Sequence, residues 1–146
     1  MATTAPRTDL RAIHPLHAVL LAATVPLYLG GLLSDWAYFS TYEIQWSNFA
    51  AWLIAGAMVF TGFALLWSLI DLIGARGRRG RALLYFLLLL ALFVIGLLSS
   101  FHHARDAWAV MPGGLIYSCV TAILAIAATW LGFSTLRSGL RSGAVR

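Results

Sequence analysis

The stretch "RALLYFLLLLALFVIGLLSSFHHARDAW", Arg81 to Trp108, decides the fold. From Ala82 to Ser100 it is almost pure hydrocarbon, and it ends in a polar hem of two histidines, an arginine and an aspartate. An α-helix needs about 20 apolar residues to cross the ~30 Å hydrocarbon core of a bilayer, and this run has that length. Inside lipid no water can satisfy backbone N–H and C=O groups, so a run of this kind must close its own hydrogen bonds as a helix.

Working outward, three further runs have the same character: His17–Ser34, Phe49–Ile73 and Gly114–Phe133. Of the 146 residues 61% are hydrophobic and only 10% charged, with a mean hydropathy of +0.85. A soluble domain of this size cannot cover so much apolar surface with so few charges. The expectation is an all-α, integral membrane four-helix bundle, a single transmembrane domain over residues 1–146. Pro15 and Pro112 suit first helical turns, and Ser47 or Asn48 suits the cap of the second span. Pro26 inside the first span predicts a kink. The first run is long, and "LLSDWAYF" after it lacks the small residues a signal peptidase needs, so it reads as a retained span.

Net charge is +5, and every basic residue is arginine. Arg7 and Arg11 precede the first span, and "GARGRRGR" (Gly74–Arg81) joins the second to the third. Arg137, Arg141 and Arg146 follow the fourth, and the two remaining connections hold only Arg105. Basic residues collect on the cytoplasmic side of a membrane, which accounts for these arginines without a nucleic acid partner. The expected arrangement is a multi-pass protein of a bacterial inner membrane, both termini cytoplasmic, with Asp35–Asn48 and Phe101–Gly113 as outer loops. Trp36, Trp46, Trp52 and Trp108 then fall at the outer interface, where indole is favoured.

Small residues recur three or four apart at Gly114, Ser118, Ala122, Ala125 and Thr129, and again at Ala51 and Ala55. Such stripes let helix backbones approach in lipid, within one chain or between copies. No internal sequence repeat is evident. Cys119, the one cysteine, cannot form an intrachain disulfide and leaves the redox compartment open.

Three segments carry a resemblance. "AIHPLHAVLLAATVPLYLGGLLSD" (Ala12–Asp35) opens the chain, "HHARDAW" (His102–Trp108) leads into "PGGLIYS" (Pro112–Ser118), and "ATWLGF" (Ala128–Phe133) closes the fourth span. Together they resemble a family of bacterial membrane proteins numbered 2231 among the domains of unknown function: its histidine–proline opening, its "RDGW" segment and its "GWLGG" close. Phe133 replaces the second glycine of that close, and "RSGLRSGAVR" (Arg137–Arg146) replaces the usual tail. The resemblance covers most of the chain and implies a four-helix integral membrane protein. It brings no activity with it.

The histidines form two groups, His14 with His17 and His102 with His103. Imidazole ligates haem iron and first-row metals. Nearly the full apolar thickness, on the order of 25–30 Å, separates the groups, so one iron cannot join them. A haem b held by one chain would pair His102 or His103 with Met58 or Met111, while a twofold dimer would pair two copies of one histidine. A transition metal has His102, His103, Asp106 and Asp35 on one side of the membrane, though at no signature spacing. The plainer alternative is a hydrogen-bonded interfacial cluster, with Arg105 paired to Asp35, Asp106 or lipid.

At the other side, Asp71 lies near the end of span two and His14 and His17 at the start of span one. A carboxylate near hydrocarbon suggests proton handling or a structural pair with Arg76 or Arg11. No nucleophile–base set, phosphate loop or dinucleotide fingerprint appears, so the expectation is not an enzyme. The residues point first to a non-enzymatic membrane subunit or accessory protein, working in the bilayer as a homo-oligomer or within a membrane protein complex. The alternatives are a haem- or metal-binding electron-transfer subunit using the outer histidines, and a proton or ion carrier in an oligomer.

Overall fold

A computed structural model of the chain describes residues 14–75, 79–105 and 109–143, with side chains up to Ser134. Among these residues there are no strands and four helices: α1 (Pro15–Thr41), α2 (Ile44–Gly74), α3 (Arg79–His103) and α4 (Gly113–Gly143). All four are long and apolar enough to cross a membrane. They run up and down in a ring, each packed on its two neighbours: α1 on α2, α2 on α3, α3 on α4, and α4 back on α1. The start of α1, Arg81 and Ser134 share one end, here called the arginine end. The α1–α2 turn and the α3–α4 connection share the other, the turn end.

Each of the four apolar runs lies within one of the four helices, and each helix is longer than its run. With 27 residues, α1 is about 40 Å long, more than the hydrocarbon core requires. The loop expected over Asp35–Asn48 is a turn of two residues, Tyr42 and Glu43. Asp35–Thr41 holds no glycine or proline, so nothing stops the helix where its polarity rises. It stops at Tyr42, left-handed at φ 55°, whose N–H bonds to the Tyr38 carbonyl at 2.7 Å. Glu43, rather than Ser47 or Asn48, then occupies the N-cap position of α2, and its side chain makes no capping bond. At the other terminus of α1, the His14 ring accepts the Leu16 N–H at 3.3 Å, with Pro15 in the first turn as expected. Pro26 lies on the exposed side of the unbroken helix.

The buried positions alternate in steps of three and four. They are His17, Leu21, Thr24, Tyr28, Gly31, Asp35 and Tyr38 in α1, with Ser34 buried beside Asp35, and Ser47, Ala50, Ile54, Ala57, Thr61, Ala64 and Ser68 in α2. In α3 they are Leu89, Leu92, Gly96, Ser99 and His103, and in α4 Gly114, Ser118, Thr121, Ala125, Ala128 and Gly132, with Ala122 buried beside Thr121. This is the seven-residue repeat of helices that pack at shallow angles. Gly114, Ser118, Ala122 and Ala125 are therefore an internal packing stripe. Ala55 is exposed, because the buried stripe of α2 runs one residue earlier, through Ala50, Ile54 and Ala57.

Polarity is inverted relative to a soluble bundle. Histidine, aspartate, serines and threonines line the axis, while Leu33, Trp52, Ile73 and Trp130 are at least 70% exposed. Water would punish this distribution, but lipid favours it. On the lipid side, α2 and α3 leave an open groove of about 440 Å³ along Met58, Gly62, Phe63 and Phe93.

Candidate functional site

α1 and α3 are diagonal in the ring and parallel, so side chains meeting across the axis keep a constant offset in sequence. His17 meets Tyr85 and Asp35 meets His103, both 68 residues apart. Tyr28 meets Gly96 at that same offset. These contacts divide the axis into three polar levels, about 16 Å and then about 10 Å apart at 1.5 Å per residue.

At the turn end, Asp35 is wholly buried and the His103 side chain is 1% exposed. His103 Nε2 lies 2.9 and 3.1 Å from the two Asp35 oxygens, and Nδ1 lies 2.9 Å from the Ser99 carbonyl. Ser118 donates a hydrogen bond to Asp35 Oδ2. A carbonyl can only accept, so Nδ1 carries a proton. Between Nε2 and the carboxylate there is then one further proton, and the pair is neutral overall whichever atom holds it. Gly114 makes the space, since a Cβ there would stand 3.3 Å from the imidazole, and buried Val110 covers the end.

At the middle level, the Tyr28 hydroxyl lies 3.2 Å from Thr61 Oγ1 and 3.5 Å from the Met58 sulfur. Thr61 spends its own hydrogen on the Ala57 carbonyl at 2.8 Å, so the Tyr28 hydroxyl is the donor at this level, its one hydrogen shared between Thr61 and the Met58 sulfur. A Cβ at Gly96 would stand 2.5 Å from the Met58 sulfur and 2.8 Å from the tyrosine oxygen. Glycine is required there for the diagonal to close.

At the arginine end, His17 Nε2 lies 2.8 Å from the Tyr85 hydroxyl. Trp67 stands over both His14 and His17, at ring separations of 4.9 and 5.9 Å. Gly132 gives Tyr85 its room. His17 Nδ1 is buried with no hydrogen-bond partner among the described residues. Asp71 is exposed, close enough to act electrostatically on His17 and Tyr85. Between this level and the middle one the axis is filled by Leu21, Leu89, Leu92 and Ala128, all fully buried.

Of the sequence candidates, the structure joins Asp35 with His103 and brings His14, His17 and Asp71 to one end. The other described candidates stay apart. His102 bonds through Nε2 to the Val110 carbonyl at 3.0 Å, with the Tyr117 ring 5.4 Å away. Met58 sits at the level of Gly96, about 9 Å of helix rise from His102. Met111 lies partly buried in the connection before α4. Asp106, Arg76 and Arg11 are outside the described residues. Arg105 is exposed, and Asp35 takes His103 and Ser118 as partners in its place. Both His103 ring nitrogens are committed to protein acceptors, so neither is open to a metal. No group of three or more His, Cys, Asp or Glu among the described residues is arranged to hold one.

Sequence reasoning missed Tyr28, Tyr85 and Ser99 as partners and valued Ser118 only for its size. A signal was present. His17, Tyr28 and Asp35 are spaced eleven and seven apart, and so are Tyr85, Gly96 and His103. Both sets follow the seam of a heptad-type helix.

A family model described as a predicted membrane protein, DUF2231, matches residues 13–138. No curated protein and no solved structure matches.

Proposed function

The chain belongs to the DUF2231 family of predicted membrane proteins, and on that premise we propose that it serves as a non-enzymatic subunit of a membrane complex. One observation carries this reading: His17, Tyr28, Asp35, Thr61, Tyr85, His103 and Ser118 turn inward and pair with one another across the axis. What the folded chain offers to other molecules within the bilayer is its apolar outer surface. A concave part of that surface is the groove at Gly62, where a side chain from a partner helix can approach the α2 backbone closely.

In this reading the arginine end faces the cytoplasm of a bacterial cell and the turn end faces outward, in accord with the positive-inside distribution. Trp36 and Trp46, both exposed near the turn end, would then sit among the outer headgroups.

Photo-crosslinking in native membranes tests the subunit reading. A photoreactive residue at Phe63, in the groove, is compared with one at Trp130, exposed on α4. A discrete adduct with another polypeptide, or with a second copy, at Phe63 and not at Trp130 supports it. Adducts with lipid alone at both positions overturn it. Orientation is read in a Cys119→Ser background by labelling Glu43→Cys and Gly80→Cys with an impermeant maleimide. Labelling of Glu43→Cys alone from outside the cell is expected, and the reverse pattern sinks the orientation.

A further inference from the structure

We propose that a single water molecule is bound inside the bundle, between the middle and turn-end levels, by the hydroxyls of Tyr28, Ser99 and Thr121. The three residues come from α1, α3 and α4, and all are fully buried. At the offset of 68 residues, Ser99 stands level with Gly31, between Gly96 at the middle level and His103 at the turn end. Thr121 stands at the same height, one turn from the Ser118 that bonds to Asp35. The Tyr28 oxygen reaches toward it from the middle level. It lies 2.8 Å from where a Cβ on Gly96 would stand, and Gly96 is three residues before Ser99. Cβ atoms three apart on a helix are about 5–6 Å from each other, close to the span of two hydrogen bonds through one water.

The balance of donors and acceptors identifies the ligand. Ser99 Oγ carries a hydrogen and has no partner among the described residues. Neighbouring hydroxyls turn back onto their own helices: Ser34 onto the Gly30 carbonyl, Thr61 onto Ala57 and Ser100 onto Gly96. Ser99 does not, although the Ile95 carbonyl stands in the same relation to it. Thr121 and Tyr28 are in the opposite condition. Thr121 commits its hydrogen to the Tyr117 and Ser118 carbonyls, and Tyr28 shares its own between Thr61 and Met58. Each keeps oxygen lone pairs with no donor among the described residues. The three hydroxyls thus present one unspent donor and two unspent acceptors. A water molecule that accepts one hydrogen bond and donates two matches that set.

The residues at this height leave room on the right side of the axis. α1 contributes Gly31, α2 Ala50 and α4 Ala122. The bulkier Ile54 packs on α1, 3.1 Å from where a Cβ on Gly31 would stand, which leaves the side nearer α3 and α4 to the hydroxyls. Apolar cavities stay dry, whereas a buried site with roughly two to four polar partners holds water. Bound here, the water joins α1, α3 and α4 through a contact that none of them makes directly.

A crystal structure of the unaltered chain that resolves ordered solvent gives the first test. A water within hydrogen-bond distance of all three oxygens is expected. A dry site, or Ser99 Oγ turned onto the Ile95 carbonyl, overturns the proposal. Reversible unfolding of the full chain in mixed micelles gives the second. Ser99→Ala is expected to lower the folding equilibrium constant about two- to tenfold, the worth of one net hydrogen bond. Ser100→Ala, which removes a bond within one helix, should change it less than about twofold. A hydroxyl with no partner at all would give the opposite sign, because its removal relieves a desolvation penalty. In a Thr121→Val background, which keeps the shape and removes an acceptor, the loss from Ser99→Ala should shrink to less than about twofold. A neutral or stabilising Ser99→Ala, or a loss of unchanged size beside Thr121→Val, overturns the proposal. Should a variant not fold, the crystal structure decides alone.

Discussion

The two ends of the α1–α3 diagonal occupy equivalent positions in the bundle and solve different problems. At the turn end an acid and a base are both buried, and each is tolerable only because of the other. At the arginine end the diagonal contact joins a phenol to an imidazole, and the nearby carboxylate, Asp71, remains exposed. One end internalises a charge pair, while the other keeps its carboxylate at the boundary. The scaffold alone therefore does not decide whether an ionisable group becomes part of the core. What decides it is whether a complementary group stands at the matching position on the parallel helix.

The comparison can be broken most sharply at the turn end. His103→Ala leaves Asp35 buried without its base and should cost about 3–5 kcal/mol, the usual penalty for stripping one partner from a buried pair. Reversible unfolding in mixed micelles measures it, and the double variant Asp35→Asn, His103→Gln should recover most of the loss. Gly96→Ala comes next, at about 1–3 kcal/mol, since the new methyl collides with Met58 and Tyr28 and the axis must spread. Tyr85→Phe removes one membrane-buried hydrogen bond and should cost about 0.6–1.7 kcal/mol. A loss equal to that of His103→Ala would erase the distinction between the ends. The smallest effect belongs to Asp71→Asn, within about 0.5 kcal/mol for an exposed position. A larger loss would mean that Asp71 is part of the fold after all.

Much of the architecture was legible because lipid imposes a length on each apolar run, and four such runs can hardly be misread. The ends of the helices were less so. Polarity rises at Asp35, which marks a loop on hydropathy alone, yet a helix ends where its backbone is interrupted rather than where its side chains become polar. That difference moves Asp35 from a loop into the core. Helix rotation was the other gap. Ala51 and Ala55 have the spacing of a packing stripe, but size alone cannot distinguish that stripe from the one a residue earlier. In the site, Asp35 and His103 were both singled out, as parts of a cluster with His102 and Asp106. Which residue of α1 faces which residue of α3 depends on register across the bundle. It becomes readable only once the two helices are known to be parallel and diagonal.

The constant offset of 68 residues also has a bearing on assembly. It ties two helical hairpins, α1–α2 and α3–α4, together through the parallel α1 and α3, although the hairpins have little sequence in common. Each hairpin can enter the bilayer as a unit, and the last event of folding is then the docking of one against the other. Sliding by a heptad would preserve much of the small-residue packing, but it would separate Asp35 from His103 and His17 from Tyr85. The polar ties are thus the teeth of a key, and two hairpins made as separate polypeptides should still find the one alignment in which every tooth seats.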